Sequence, residues 1–156
     1  MNKLKKGEKA PHFEGVNQDG ELIKLSDFIG KKIILYFYPK DNTPGCTAES
    51  CNLSNNYSLW LEKGYEVVGV SPDSVKSHKK FADKFGFRFN LIADTQKEIL
   101  QAYGAWGEKK MYGKTYMGVL RTTFIIDKNG MIEEVIEKVN TKGHTVQILE
   151  TLNLSK

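Results

Sequence analysis

Cysteine occurs only twice in this chain, at Cys46 and Cys51, and that scarcity excludes a good deal. Two thiols cannot supply the disulfide framework of a small secreted domain, and the Cys-x-x-Cys spacing of a dithiol exchanger is absent. Histidine is almost as sparse. His12, His78 and His144 lie far from the cysteines and from one another, so the four ligands of a closed metal site are not at hand, and neither metal nor cofactor is expected. All three read as surface residues. No apolar run approaches the roughly 20 residues of a membrane span. The opening Met1-Asn2-Lys3-Leu4-Lys5-Lys6 is basic but leads into Gly-Glu-Lys-Ala-Pro rather than an apolar h-region, so no secretory signal is expected and the cytoplasm is. Arginine is the last rarity. Only Arg88 and Arg121 stand among 23 basic residues, against 19 acidic ones. The net charge of +4 is spread over scattered lysines, which gives little support to a nucleic-acid partner. Each arginine is correspondingly informative, because its planar fork grips anions as lysine cannot.

What remains is an ordinary globular composition, 40% hydrophobic and 27% charged, over 156 residues, which suits one domain spanning 1–156. Residues 13–16 and 22–25 flank Gln18-Asp19-Gly20 as a short hairpin. Residues 33–38 form a continuous β-branched and aromatic run, the pattern of a strand buried on both faces. Apolar positions at helical spacing run through 47–63 and stop at Gly64. A second buried strand covers 65–70, a helix follows over 75–85 up to Gly86, and a short strand at 90–93 precedes a helix near 97–103. Residues 104–118 lack clean periodicity and read as a long loop. Strands at 122–126 and 131–136 surround Asp127-Lys-Asn-Gly130 as a hairpin, and an amphipathic helix covers 145–154. This order demands an α/β fold with a central mixed sheet, helices on its faces and an N-terminal β-hairpin.

The chemistry concentrates at Tyr36-Phe37-Tyr38-Pro39-Lys40-Asp41-Asn42-Thr43-Pro44-Gly45-Cys46-Thr47-Ala48-Glu49, where a strand gives way to a turn and a helix that carries Cys46 in its first turn. Unpaired N–H groups and the positive end of the helix dipole favour negative charge on a sulfur placed there. Thr43 is positioned to meet the thiol or a peroxide oxygen, or simply to cap the helix. Pro39 ends the strand and could shield the sulfur. Glu49 is a first-turn acid suited to the dipole. Arg121, where the long loop meets a strand, can aim its fork at the sulfur or form a loop-end ion pair.

On one continuous helix, Cys46 and Cys51 would have Cα atoms roughly 8.6 Å apart and side chains about 140° apart. A disulfide needs Cα atoms within about 7 Å, so joining the two requires local unwinding. Such coupling suits a catalytic cycle better than a structural bridge. A thiolate attacking a peroxide gives a sulfenic acid that a second thiol can capture. Cys46 is the better attacker, because the N–H groups around Cys51 already have helical partners. The plain alternative is that both are small buried apolar residues.

The Pro-x-x-x-Thr-x-x-Cys pattern at Pro39, Thr43 and Cys46 closely resembles the peroxiredoxins, in particular the bacterioferritin comigratory protein or peroxiredoxin Q subfamily. Gly7-Glu-Lys-Ala-Pro11, Gly69-Val-Ser-Pro-Asp73, Trp106-Gly-Glu-Lys-Lys110 and Arg121-Thr-Thr-Phe-Ile-Ile-Asp127 extend the likeness over nearly the whole chain. It implies a thioredoxin-like fold and reduction of hydrogen peroxide or alkyl hydroperoxides. By position, it makes Cys46 the peroxidatic cysteine and Cys51 the resolving one. Thr43 and Arg121 orient the peroxide and activate the sulfur, Pro39 shields it, and Glu49 supports the hydrogen-bond network. It further implies recycling by thioredoxin, or in some members glutaredoxin, and a monomer with a dimer as the alternative. Two rivals stand beside this expectation: a thiol-disulfide oxidoreductase on the same fold, and a redox sensor or holdase without turnover.

Overall fold

The computed structural model describes residues 4–154, so Met1-Asn2-Lys3 at the basic opening lies outside it. Its centre is β3 (Lys32–Phe37), which pairs in parallel with β4 (Tyr65–Ser71) and antiparallel with β8 (Thr122–Ile126). The sheet extends from β4 to the parallel β5 (Asn90–Ala93), and beyond it to β1 (Glu14–Val16) and β2 (Leu22–Lys24), the expected N-terminal hairpin. On the other side β9 (Ile132–Ile136) completes seven strands in the order β2-β1-β5-β4-β3-β8-β9. This is the mixed sheet of a thioredoxin-like fold.

Alternation along β3 divides the core in two. Ile34 and Tyr36, with Tyr38 just past the strand, join Leu53, Trp60, Phe81 and Ile148 on one face, whereas Ile33, Leu35 and Phe37 join Val68, Leu100, Tyr103 and Phe124 on the other. Helices α1 (Pro44–Asn55), α2 (Tyr57–Glu62), α3 (Val75–Phe85) and α5 (His144–Thr151) pack residues into the first face, and α4 (Glu98–Ala102) into the second. At Gly69 in β4 an added Cβ would lie 2.8 Å from Tyr36 Cζ and 2.9 Å from Leu91 Cδ2. A bare backbone there lets the Tyr36 ring lie across the sheet toward α1.

Three expectations need correction. The helix read over 47–63 starts earlier, at Pro44, and is divided at Asn56. Proline suits a first helical position because its absent N–H would have no partner there. Asn56 interrupts because its side chain donates to the Asn52 carbonyl at 2.8 Å, in competition with helix continuation. The loop read over 104–118 is a two-stranded hairpin, β6 (Trp106–Met111) and β7 (Lys114–Val119), turned by Tyr112 and Gly113 at φ 53° and 77°. Most of β7 is exposed, so neither strand carries the apolar alternation that marks one. Finally, His12 is exposed as expected, but His78 and His144 are fully buried.

Candidate active site

The C-terminal end of β3 places the site. After Phe37 the chain turns through Pro39 and enters α1 at Pro44, which puts Cys46 in the first turn, only 1% exposed. The turn is pinned from below. Asp41 accepts from the Tyr38 hydroxyl at 2.6 Å, from Ser77 Oγ at 2.8 Å and from His78 Nδ1 at 2.7 Å, while its own N–H donates to Asp73 at 2.8 Å. Asp73 also accepts from Ser71 Oγ at 2.7 Å. Asp41, Asp73 and His78 form a tight group of metal-ligand type, but the carboxylate oxygens already accept from these donors and His78 is engaged at both ring nitrogens, by Asp41 and by the Ile92 carbonyl, so the group acts as the anchor of the loop.

Arg121 comes from the opposite direction, one residue before β8, whose Thr122 pairs with Phe37. Its Nη2 donates to Cys46 Sγ at 3.2 Å and its Nη1 to Glu49 Oε1 at 2.6 Å. Three residues apart on α1, Cys46 and Glu49 share a face, so one guanidinium reaches both. The guanidinium lies over Gly45, where an added Cβ would stand in ordinary contact with Nη2 at 3.4 Å. Burial pulls the Arg121 guanidinium toward neutrality, but Glu49 and Cys46 outweigh that and hold its pKa above the ordinary value. Glu49 itself is fully buried; burial raises its carboxyl to about 7 against the opposing pull of Arg121.

Thr43 occupies the N-cap position, yet its hydroxyl donates to the Lys40 carbonyl at 2.8 Å instead of capping the helix. With its proton so used, the oxygen is left as an acceptor. Cys51 lies in the same unbroken α1, half-buried against the core, and burial pushes its thiol up. Both cysteines are free. The continuity of α1 keeps the expected helical separation of roughly 8.6 Å between their Cα atoms.

Behind Glu49 stands a residue that the sequence reading placed at the surface. His144, the first residue of α5, brings Nε2 to 3.5 Å from Glu49 Oε2 and to 2.8 Å from Thr123 Oγ1. Its position had a legible signal: His144, Thr145, Ile148 and Leu149 form the buried stripe of α5 at helical spacing. Burial lowers the His144 ring to about 4, with the hydrogen bond to Gln147 opposing it and the charge of Arg121 adding to it.

Fold and site together define a thioredoxin-like protein with a thiol held at a helix N-terminus by an arginine. The chain belongs to the AhpC/TSA family, whose model matches residues 6–135, and within it to the peroxiredoxins of the Bcp or peroxiredoxin Q type, which are thiol-dependent peroxidases. Peroxiredoxin Bcp of Bacillus subtilis is 44% identical over 146 residues, covering 94% of this chain and 93% of that protein. Peroxiredoxin Bcp of Escherichia coli K12 is 41% identical over 152 residues, 97% of each chain. Among solved structures, a PrxQ mutant of Xylella fastidiosa superimposes with a TM-score of 0.90 at 32% identity, covering 98% of each chain. A Xanthomonas campestris bacterioferritin comigratory protein, studied for alkyl peroxide reduction, gives 0.84 at 35% identity over 90% of each chain.

Proposed function

We propose that this chain reduces hydrogen peroxide and alkyl hydroperoxides through Cys46, resolves the product with Cys51, and is recycled by thioredoxin in the cytoplasm. The observation that carries this reading is the single guanidinium bonded to both Cys46 and Glu49. Arg121 favours the thiolate and stands where the departing oxygen gains charge. The thiolate attacks one peroxide oxygen, an S–O bond forms as the O–O bond breaks, and the alcohol or water leaves with a proton. Thr43, whose own proton is committed to Lys40, accepts the O–H of the incoming peroxide, and Pro39 screens the approach. The Cys51 thiol then displaces hydroxide from the sulfenic acid; an S–S bond forms, water leaves, and α1 must open to allow it. Thioredoxin, or glutaredoxin in its place, returns two electrons and two protons.

The test is steady-state peroxide consumption with thioredoxin and its reductase, using hydrogen peroxide and an alkyl hydroperoxide. Multiple turnovers should be seen, and Cys46→Ser should abolish them. Undiminished turnover in that variant would remove Cys46 from its role. Reduction of insulin disulfides without peroxide turnover would favour a disulfide exchanger, and a stoichiometric reaction that stops after one equivalent would favour a sensor.

A further inference from the structure

The peroxide chemistry above uses one oxygen of Glu49 and leaves the other unexplained. Oε1 accepts from Arg121, but Oε2 is buried without a hydrogen-bond partner among the described residues. What faces it is the His144 ring. The ring's proton can be placed from its neighbours. Gln147 Nε2 donates to the Lys138 carbonyl, so Gln147 Oε1 is the acceptor, and it takes the Asn140 N–H at 2.8 Å and His144 Nδ1–H at 2.9 Å. In the neutral ring Nε2 then carries a lone pair, with the Thr123 hydroxyl bonded to it at 2.8 Å and Glu49 Oε2 facing it at 3.5 Å without a hydrogen bond. A carboxylate oxygen opposite a lone pair gains nothing from being charged, whereas a protonated one has an acceptor in front of it.

We propose that His144 is a positioning residue of the thiol site: by turning a lone pair toward Glu49 it keeps a proton on that carboxyl, so the charge of Arg121 is left to the sulfur. The inference rests on the peroxidatic role of Cys46. With Glu49 neutral, Arg121 faces a single anion, the Cys46 thiolate; with Glu49 ionised, it is divided between two. The other groups directed at this carboxyl do not change that balance. From β3 the Tyr36 hydroxyl is taken by Ser50 at 2.8 Å, and from β8 and α5 only Arg121 and His144 carry titratable chemistry toward it. Burial raises Glu49 to about 7 and lowers His144 to about 4, which agrees with one proton on the carboxyl and none on Nε2 between those values.

The experiment is a double-mutant cycle read by the pH dependence of single-turnover Cys46 oxidation by hydrogen peroxide, in the reduced full chain. In His144→Gln a side-chain amide can donate permanently to Oε2, which favours the ionised carboxyl. The midpoint of the pH–rate profile should rise by at least about half a unit, and the rate at pH 6 should fall several-fold. In a Glu49→Gln background the same His144 substitution should have no further effect. An unmoved profile in His144→Gln, or an effect of equal size with Glu49 removed, overturns the proposal. A second measurement needs no substitution. Carboxyl ¹³C and imidazole ¹⁵N NMR of the parent chain at pH 6 should show Glu49 protonated and His144 bearing its proton on Nδ1 alone; a doubly protonated ring beside an ionised Glu49 overturns it. Peroxide turnover that survives Cys46→Ser would instead sink the underlying function, whatever His144 does.

Discussion

Burial displaces the titrations of Glu49 and His144 in opposite senses, and removing either one should expose the other in the pH dependence of stability. Glu49 is displaced from 4.5 to about 7 by burial, over the opposing pull of Arg121. A carboxyl raised on folding contributes stability that is complete below pH 4.5 and lost as pH rises through 7, and the displacement is worth about 3 kcal/mol. His144 is displaced in the other sense, from 6.5 to about 4, so its contribution is complete above pH 6.5 and lost as pH falls through 4, again by about 3 kcal/mol. Burial is the largest cause of each displacement. Between pH 4.5 and 6.5 the two slopes cancel, because the folded pair holds one proton on Glu49 and the unfolded pair holds one on His144. Relative to the parent, Glu49→Gln should therefore gain up to about 3 kcal/mol of stability as pH rises from 4.5 to 7, and His144→Phe, which supplies no donor, should lose as much as pH rises from 4 to 6.5. Urea unfolding at half-unit intervals under reducing conditions measures both. Difference profiles that are flat, or that slope the same way for both variants, would refute the reasoning.

Arg121→Lys replaces a fork with a point charge that cannot serve Cys46 and Glu49 together, and the second-order rate with hydrogen peroxide should fall about 10²-fold; a rate within about threefold of the parent would show that the fork is dispensable. Cys51→Ser should undergo the first oxidation at the parent rate but accumulate sulfenic acid, detected by dimedone labelling, and lose thioredoxin-linked turnover. Normal turnover in that variant would place the resolving thiol in another molecule. Gly69→Ala drives a methyl to 2.8 Å from the Tyr36 ring and should cost about 1–3 kcal/mol in urea unfolding. No change would mean that Tyr36 is free to withdraw.

The sheet was readable because each central strand is a run of β-branched and aromatic residues, and only a strand buried on both faces tolerates such a run. Residues 33–38 are buried throughout. The β6–β7 hairpin escaped notice for the converse reason: it packs little against the core, so nothing forces its side chains to alternate. At the site, a turn and a helix fix the relations of Cys46, Thr43 and Glu49 locally, so spacing placed them together, but it left plain alternatives for each and their roles came from the family resemblance. Arg121 needed the fold, because 72 residues separate it from Glu49 and only the pairing of β8 with β3 brings them together. His144 escaped for another reason. A lone histidine carries no spacing signal of its own, and its inward direction follows only from the apolar stripe it begins on α5.

The two thiols share one helix, so in the proposed cycle whatever holds α1 closed sets the rate at which a sulfenic acid at Cys46 is captured by Cys51. Several bonds close it. Arg121 ties Cys46 and Glu49 to β8, the Tyr36 hydroxyl holds Ser50 to β3 at 2.8 Å, and Asn52 donates to the Lys142 carbonyl and accepts the Thr145 N–H ahead of and within α5. Neutral bonds of this kind contribute about 0.5–1.5 kcal/mol each and charged ones about 1.5–3, so together they favour the closed helix. Oxidation changes that balance at one point. In the proposed cycle, attack on the peroxide turns the Cys46 sulfur that Arg121 bonds into a neutral sulfenic acid that it holds weakly, and the guanidinium is left to Glu49 alone. The chemical step thereby removes one of the strongest restraints on the segment that must next unwind, while the restraints at Ser50 and Asn52 persist and set the delay between oxidation and resolution.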